Sequence, residues 1–365
     1  MPFSDFHGNP EIVHRLRDML AREHFPHAMI MAGPTGSGKY TLALMLAQAM
    51  NCLERPTSEG LPDFCGRCSN CTRIAQAADL EARFAEAVET RENLRDADKR
   101  ETRIFVQTHP DVLVIPPDPP QMTIKVDQVR RVIETIYYRP GAARERVYIF
   151  TDSAFMKEAA NSLLKVLEEP PEFATIFLLT ENAGELLPTI RSRSMTFTLG
   201  ALPAEQIERY LAQHRPEWNA KQRALVARLA EGAVGRARTF DLTAYVAARQ
   251  HALTILNSAL HSSDHSELFK VTETYRPGAD GRSKTEALLR TLYALLQDLL
   301  AINAQAPELV RNTDIGGELQ KLAQAADFRW IAYASDQLAD VKRGMRRNLL
   351  RSLSLDAFAT ALEKS

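Results

Sequence analysis

A parallel α/β sheet covered by helices on both faces, then a small helical lid and an all-helical C-terminal region, is the fold this sequence predicts. Three observations carry it. The run Gly33-Pro-Thr-Gly-Ser-Gly-Lys39 stands between a short apolar stretch, AMIMA at 28–32, and an apolar helical stretch at 39–50. That is the strand, glycine loop and helix context a phosphate-binding loop (P-loop) requires. Apolar runs then recur at 112–115 (VLVI), 147–150 (VYIF) and 175–179 (TIFLL), alternating with helical patterns at about 125–137 and 156–168; such alternation builds a sheet buried on both faces. Beyond about residue 200 the strand signals stop.

The elements follow in order. Residues 10–22 (PEIVHRLRDMLAR) have the period of an amphipathic helix ahead of the first strand. Residues 79–103 are dense in charge of both signs and free of Gly and Pro, which reads as a solvated helix or helical hairpin, with a partner-binding arm as the alternative. A further short strand is expected near 195–198. Segments 204–213 and 219–230 are helical, GAVGR at 232–236 reads as a turn, and from about 243 the chain is a series of amphipathic helices broken by a loop near 261–283. The expected domains are therefore 1–200, 201–242 and 243–365.

With 365 residues, 45% of them hydrophobic, the chain can bury the cores of two or three domains. The formal net charge of −1 gives no general attraction to nucleic acid, so any contact with DNA must be local or borrowed from partners. No run of apolar residues is long enough for a membrane span, and the start MPFSDFHGNPEIV has neither a basic region nor an apolar core for export; a cytoplasmic protein without membrane attachment is expected.

All four cysteines, Cys52, Cys65, Cys68 and Cys71, fall within twenty residues. Four clustered thiolates in a reducing compartment point to a closed tetrahedral zinc site that folds a loop and leaves no open position for catalysis; an iron–sulfur cluster, a redox pair or unligated thiols are the alternatives.

A hydrolytic P-loop holds magnesium from two sides, by a Ser or Thr after the lysine and by an acid at the end of a later strand. Here the residue after Lys39 is Tyr40, and the strand 147–150 runs into Thr151-Asp152. Thr41 is no substitute, because one residue along a helix turns a side chain by about 100°. Loss of both contacts predicts no bound Mg2+ and slow or absent hydrolysis. The loop backbone and Lys39 can still cradle the phosphates of ATP or ADP, or the loop is retained as a structural turn. In Leu187-Pro-Thr-Ile-Arg-Ser-Arg-Ser194 two arginines stand close together, either as surface charge or as a fork presented to a neighbouring subunit's triphosphate. His27 and His109 read as packing or capping residues. The basic stretch Lys342, Arg343, Arg346, Arg347 and Arg351 reads as a solvated helix face or an intersubunit ion-pair set before a DNA-binding stripe.

The stretch from His24 to Cys52 around the glycine loop, the knuckle DFCGRCSNC, the segment VYIFTDSAFMKEAANSLLKVLEEPPEFATIFLLT and the run LLPTIRSRS together resemble the bacterial clamp-loader ATPase family, and within it the delta prime branch. The similarity covers nearly all of residues 1–240; the last third matches only as helices, with Asn348 and Leu355 in a plausible terminal pattern. The resemblance implies an AAA+ module with a lid and a helical collar, placed with gamma/tau and delta subunits in a five-subunit ring of the DNA polymerase III holoenzyme that loads the sliding clamp on primed DNA. It implies a rigid stator without ATPase activity of its own. An ATP-hydrolysing gamma/tau-like motor is the alternative. On this pattern Gly33, Gly36, Gly38 and Lys39 match the phosphate loop, and Thr151 and Asp152 fall where motor subunits carry Asp-Glu. Thr180 resembles the first sensor, Arg236 the second sensor and Arg193 the arginine finger acting in trans; the four cysteines match the family's zinc module. Ser194 replaces the usual Cys of the finger motif, and the charged segment 79–103 looks like an insertion without an assigned job.

Overall fold

The computed structural model describes residues 2–22, 25–261, 266–275, 281–345 and 351–362. By internal contacts the chain divides into two units, Met1–Pro203 with Gly232–Arg236, and Ala204–Glu231 with Ala237–Ser365.

Among the described residues, the main sheet of the first unit has six strands, β1 (Ala28–Ala32), β2 (Val106–His109), β3 (Val112–Ile115), β4 (Arg146–Phe150), β5 (Ala174–Thr180) and β6 (Met195–Thr198), and a separate two-residue hairpin pairs Thr57–Ser58 with Leu61–Pro62. Their order across the sheet is β2-β3-β4-β5-β1-β6. Every neighbouring pair is parallel except β2 with β3. The edge strand β2 is a correction to the sequence reading, which placed no strand there. Its two end residues, Val106 and His109, are buried and the two between them, Gln107 and Thr108, are not, its pairing with β3 shifts register between those ends, and Pro110 follows at once, so neither an apolar run nor an alternating pattern marks it as a strand.

Both faces of the sheet are covered. In β1, Met29 and Met31 join one core with Leu16, Leu42 and Leu46 of the helices α1 (Pro10–Ala21) and α2 (Lys39–Asn51). Ile30 between them points to the opposite core with Val129 and Val132 of α6 (Val126–Ile136) and Leu163 of α7 (Lys157–Glu168). Alternation by two, with both sides apolar, is why the strand reads as an unbroken hydrophobic run. Burial of each such side chain contributes roughly 1.5–3 kcal/mol.

Between α2 and β2 lie three shorter helices, α3 (Ser69–Ala75), α4 (Leu80–Glu92) and α5 (Asp96–Glu101). The charged stretch is thus two helices, and it is not wholly solvated: Arg91 is buried and pairs with buried Asp118 at 3.1 Å. Asp118 lies twenty-seven residues further along the chain, so the linear sequence does not reveal this partner.

The second unit is helical. A pair of helices, Ala204–His214 and Ala220–Leu229, packs together, and among the described residues six further α-helices run from Leu242 to Leu362 around a core that includes Leu256, Leu292, Leu299, Trp330, Leu338 and Phe358. The predicted turn 232–236 is corrected in part, since Val234 begins a short helix that continues to Arg238. Part of the expected loop near 261–283 is also helical, Ser266–Glu273, and a long helix starts at Gly281. Lys342 and Arg343 are exposed, with Arg343 paired to Asp340; Arg346, Arg347 and Asn348 lie outside the described residues, and Leu355 is buried.

Candidate nucleotide site and cysteine cluster

Parallel strands bring their C-terminal ends to one edge, and ligands of open α/β sheets bind there. Ala32, the last residue of β1, is in register with Thr180 at the end of β5, and the Gly33 N–H donates to the Thr180 carbonyl at 3.2 Å. One strand further on, β4 ends beside them and delivers Thr151 and Asp152. A cavity of about 480 Å³ opens at this edge, lined by Gly36, Gly38, Lys39, Tyr40, Thr151, Asp152 and Thr180 among others. The sheet thus gathers most of the residues singled out in the sequence.

The loop needs its glycines. Gly36 has φ +81°, and a Cβ there would lie 2.8 Å from the backbone nitrogen of Arg236. Gly38 has φ +91°, and a Cβ there would lie 2.9 Å from the Phe6 ring. The Gly235 N–H donates to the Gly36 carbonyl at 2.8 Å, so the Gly232–Arg236 segment is laced onto the loop. Arg193 and the Arg236 side chain are not among the residues lining the cavity.

Lys39 opens α2 and turns its Nζ back onto the carbonyls of Gly33 at 2.6 Å and Pro34 at 2.9 Å. Burial lowers its pKa, opposed by the charges of Glu181 and Asp152. Tyr40 directs its ring toward the first core, and its hydroxyl donates to the Ala77 carbonyl at 2.7 Å. Burial pushes this phenol up, so it stays a neutral donor. Thr151 and Asp152 are half-buried, and the Asp152 carboxylate accepts from its neighbour Ala154 N–H at 2.8 Å. The Thr180 hydroxyl lies 3.0 Å from the Ser153 hydroxyl and 2.9 Å from the Asn182 carbonyl, which it can reach as donor, and 3.3 Å from the Glu185 carboxylate.

Sequence reasoning passed over Glu181, Ser153 and Glu185. Glu181 directly follows Thr180, and the Thr35 hydroxyl of the loop donates to its carboxylate. The only available signal was adjacency to a strand end.

Arg193 stands elsewhere, in the turn between Pro188–Arg191 and β6. Its guanidinium donates to the Thr189 carbonyl at 3.0 Å and pairs with Glu168 at 2.8 Å, and the residue is exposed.

The four cysteines converge: their sulfurs all lie within 4.8 Å of one another. A tetrahedral thiolate shell needs sulfurs about 3.8 Å apart, from zinc–sulfur bonds of about 2.3 Å, so this donor set fits one ion. Backbone N–H groups of Cys65 and Cys68 donate to the sulfurs of Cys52 and Cys65, each at 3.3 Å. The cluster is tied to the sheet by Asn70, whose amide donates to the carbonyls of Asn51 and Ala142, both at 3.0 Å. Asn70 Oδ1 lies 3.1 Å from Nε2 of buried His109, and His109 Nδ1 accepts from the Asp111 N–H at 3.1 Å. With Nδ1 accepting, Nε2 carries the proton and donates. His109 is therefore a packing residue, and burial lowers its pKa.

A family model described as DNA polymerase III, delta subunit, matches residues 8–203, more than half of the chain. The chain belongs to the DNA polymerase III clamp-loader family. This clamp-loader family member is 26% identical to DNA polymerase III subunit tau of Escherichia coli, over 96% of this chain and 54% of that protein. It is 29% identical to subunit tau/gamma of Haemophilus influenzae, over 58% of this chain and 25% of that protein. The chain thus spans about half of the first relative's length and a quarter of the second's. Among solved structures, a gamma subunit-related protein of Thermotoga maritima superposes with a TM-score of 0.46 at 18% identity, covering 96% of this chain and 98% of the other. The relatives carry tau and gamma names and the family model a delta name, so the comparisons establish the clamp-loader family while the expected delta prime branch is narrower than what they show. Among the described residues no helix is long and apolar enough to cross a membrane.

Proposed function

We propose that this clamp-loader subunit is of the delta prime kind: a ring member with a degenerate ATP site that supplies Arg193 to a neighbour's nucleotide. The observation that carries the reading is Tyr40. Where a magnesium-holding hydroxyl is required, its phenol is spent on the Ala77 carbonyl, and Thr151 offers a neutral oxygen where an acid would complete the metal shell. In this role the chain works with gamma/tau and delta subunits in a five-subunit ring, and reaches the sliding clamp and primed DNA through that complex. Arg193 is exposed and is engaged by the Glu168 carboxylate, the Thr189 carbonyl and the Ser192 hydroxyl, contacts that suit a guanidinium that must exchange an internal carboxylate for a phosphate. Thr180 and Arg236 hold the sensor positions, and the cysteine cluster carries structural zinc.

The tau and gamma names of the relatives favour the other reading, an ATP-hydrolysing motor subunit. Steady-state ATP hydrolysis separates the two. The purified chain alone is expected to show no turnover above background, while a complex reconstituted with motor and delta subunits loses at least about tenfold of its rate when Arg193→Ala replaces the finger. Vigorous turnover by the isolated chain overturns the stator reading; an unchanged complex rate in Arg193→Ala removes the trans role.

A further inference from the structure

The loop cavity has an unexpected charge. Among its described lining residues Lys39 is the cation, and it faces three carboxylates, Asp152, Glu181 and Glu185. Two of these are already bonded near the strand ends: Asp152 accepts from the Ala154 N–H, and Glu185 accepts from the Ser153 hydroxyl. Glu181 instead crosses to the glycine loop and is bonded by the Thr35 hydroxyl. A loop whose backbone N–H groups and lysine are suited to phosphate thus already has an anion of the protein's own beside it.

We infer that Glu181, tied to Thr35 and standing beside Lys39, sets the charge selectivity of this phosphate loop, admitting a nucleoside diphosphate in preference to a triphosphate. The inference deepens the proposed function and rests on its reading of the cavity as a nucleotide site that has lost its metal. The reasoning is electrostatic. The lysine of a P-loop serves the terminal phosphates, so a fixed carboxylate in its field opposes the terminal phosphate more than the inner ones. Magnesium, which would screen that repulsion, has no hydroxyl at position 40 to hold it. Lys39 meanwhile spends two of its three donors on loop carbonyls, which leaves it little with which to offset an added charge.

The test is equilibrium binding of fluorescent ATP and ADP analogues to the full chain without magnesium, comparing the unaltered protein with Glu181→Gln, Glu181→Ala and Thr35→Val. Glu172→Gln, at an exposed acid that does not line the loop cavity, controls for a change in net charge alone. Removing the Glu181 charge is expected to tighten ATP roughly tenfold and ADP roughly threefold or less, as for one unit charge at several ångströms in a partly screened site. Thr35→Val, which frees the carboxylate without neutralising it, should shift ATP in the same direction by a smaller factor. An unchanged ratio of ATP to ADP affinity in both Glu181 variants, or no binding of either nucleotide to them, overturns the inference. Those outcomes leave the stator reading standing, since that reading falls on hydrolysis by the unaltered chain, a separate measurement.

Discussion

Tyr40 shows how one residue changes what a loop can do. A Ser or Thr at this place points its hydroxyl into the cavity; a tyrosine is too long, and its oxygen reaches past to Ala77. The ring then gains apolar burial while the loop loses a metal ligand. Asp111 is a second residue with a single role. Its carboxylate accepts N–H bonds from Gly141, Ala142 and Ala143 at 3.1, 2.8 and 2.9 Å and lies 3.5 Å from the Arg146 guanidinium. Burial alone would raise its pKa, but these donors outweigh it and hold the carboxyl below its ordinary value of 3.8. A depressed carboxylate contributes stability that is fully present above the unfolded pKa and is lost as pH falls through the folded one. Asp111→Asn is therefore expected to cost about 2 kcal/mol in urea unfolding at neutral pH, with the difference from the unaltered protein shrinking below about pH 4. An undiminished difference at pH 3 would show that packing, not charge, is responsible.

At the scale of elements, the cysteine cluster and the sheet meet through one side chain. Asn70 lies on α3 between Cys68 and Cys71 and donates its amide to two backbone carbonyls from distant parts of the chain while its oxygen accepts a hydrogen bond from His109 Nε2–H. Asn70→Ala leaves those buried carbonyls and His109 without their partner, so a loss of about 2–3 kcal/mol is expected. Tryptic cleavage at Arg67 or Arg73 should speed up before the rest of the chain is attacked, because local opening of this segment becomes easier. Most elements here were legible because both faces of the sheet are apolar and the strands read as continuous runs. Those that were not legible have specific causes. Strand β2 is four residues long, carries two polar residues at its centre and stops at Pro110, and the buried Arg91 inside a charged helix needs Asp118, twenty-seven residues away, to explain it.

For the molecule as a whole, two units have separate cores, one pair of cores around the sheet and one in the helical unit. Cys52 and Cys71 are members of the first core. A ligand that binds only the folded state raises that unit's stability by mass action, so calorimetry with a strong zinc chelator should lower the transition of the sheet unit by several degrees and leave that of the helical unit in place. Equal displacement of both transitions would mean that the two unfold as one, and no displacement would mean that the cluster holds no metal under those conditions.

The sequence by itself determined the fold class, the phosphate loop, the four-cysteine set and the altered residues Tyr40 and Thr151, because each is a local pattern of residue type and spacing. Tertiary structure alone decided which groups share the loop. The ends of β1, β4 and β5 are far apart in the chain, and only parallel pairing in register brings Thr180 and Glu181 against Gly33, Thr35 and Lys39. A carboxylate's effect depends on its distance from other charges, and distance across a sheet is not written in any one stretch of sequence.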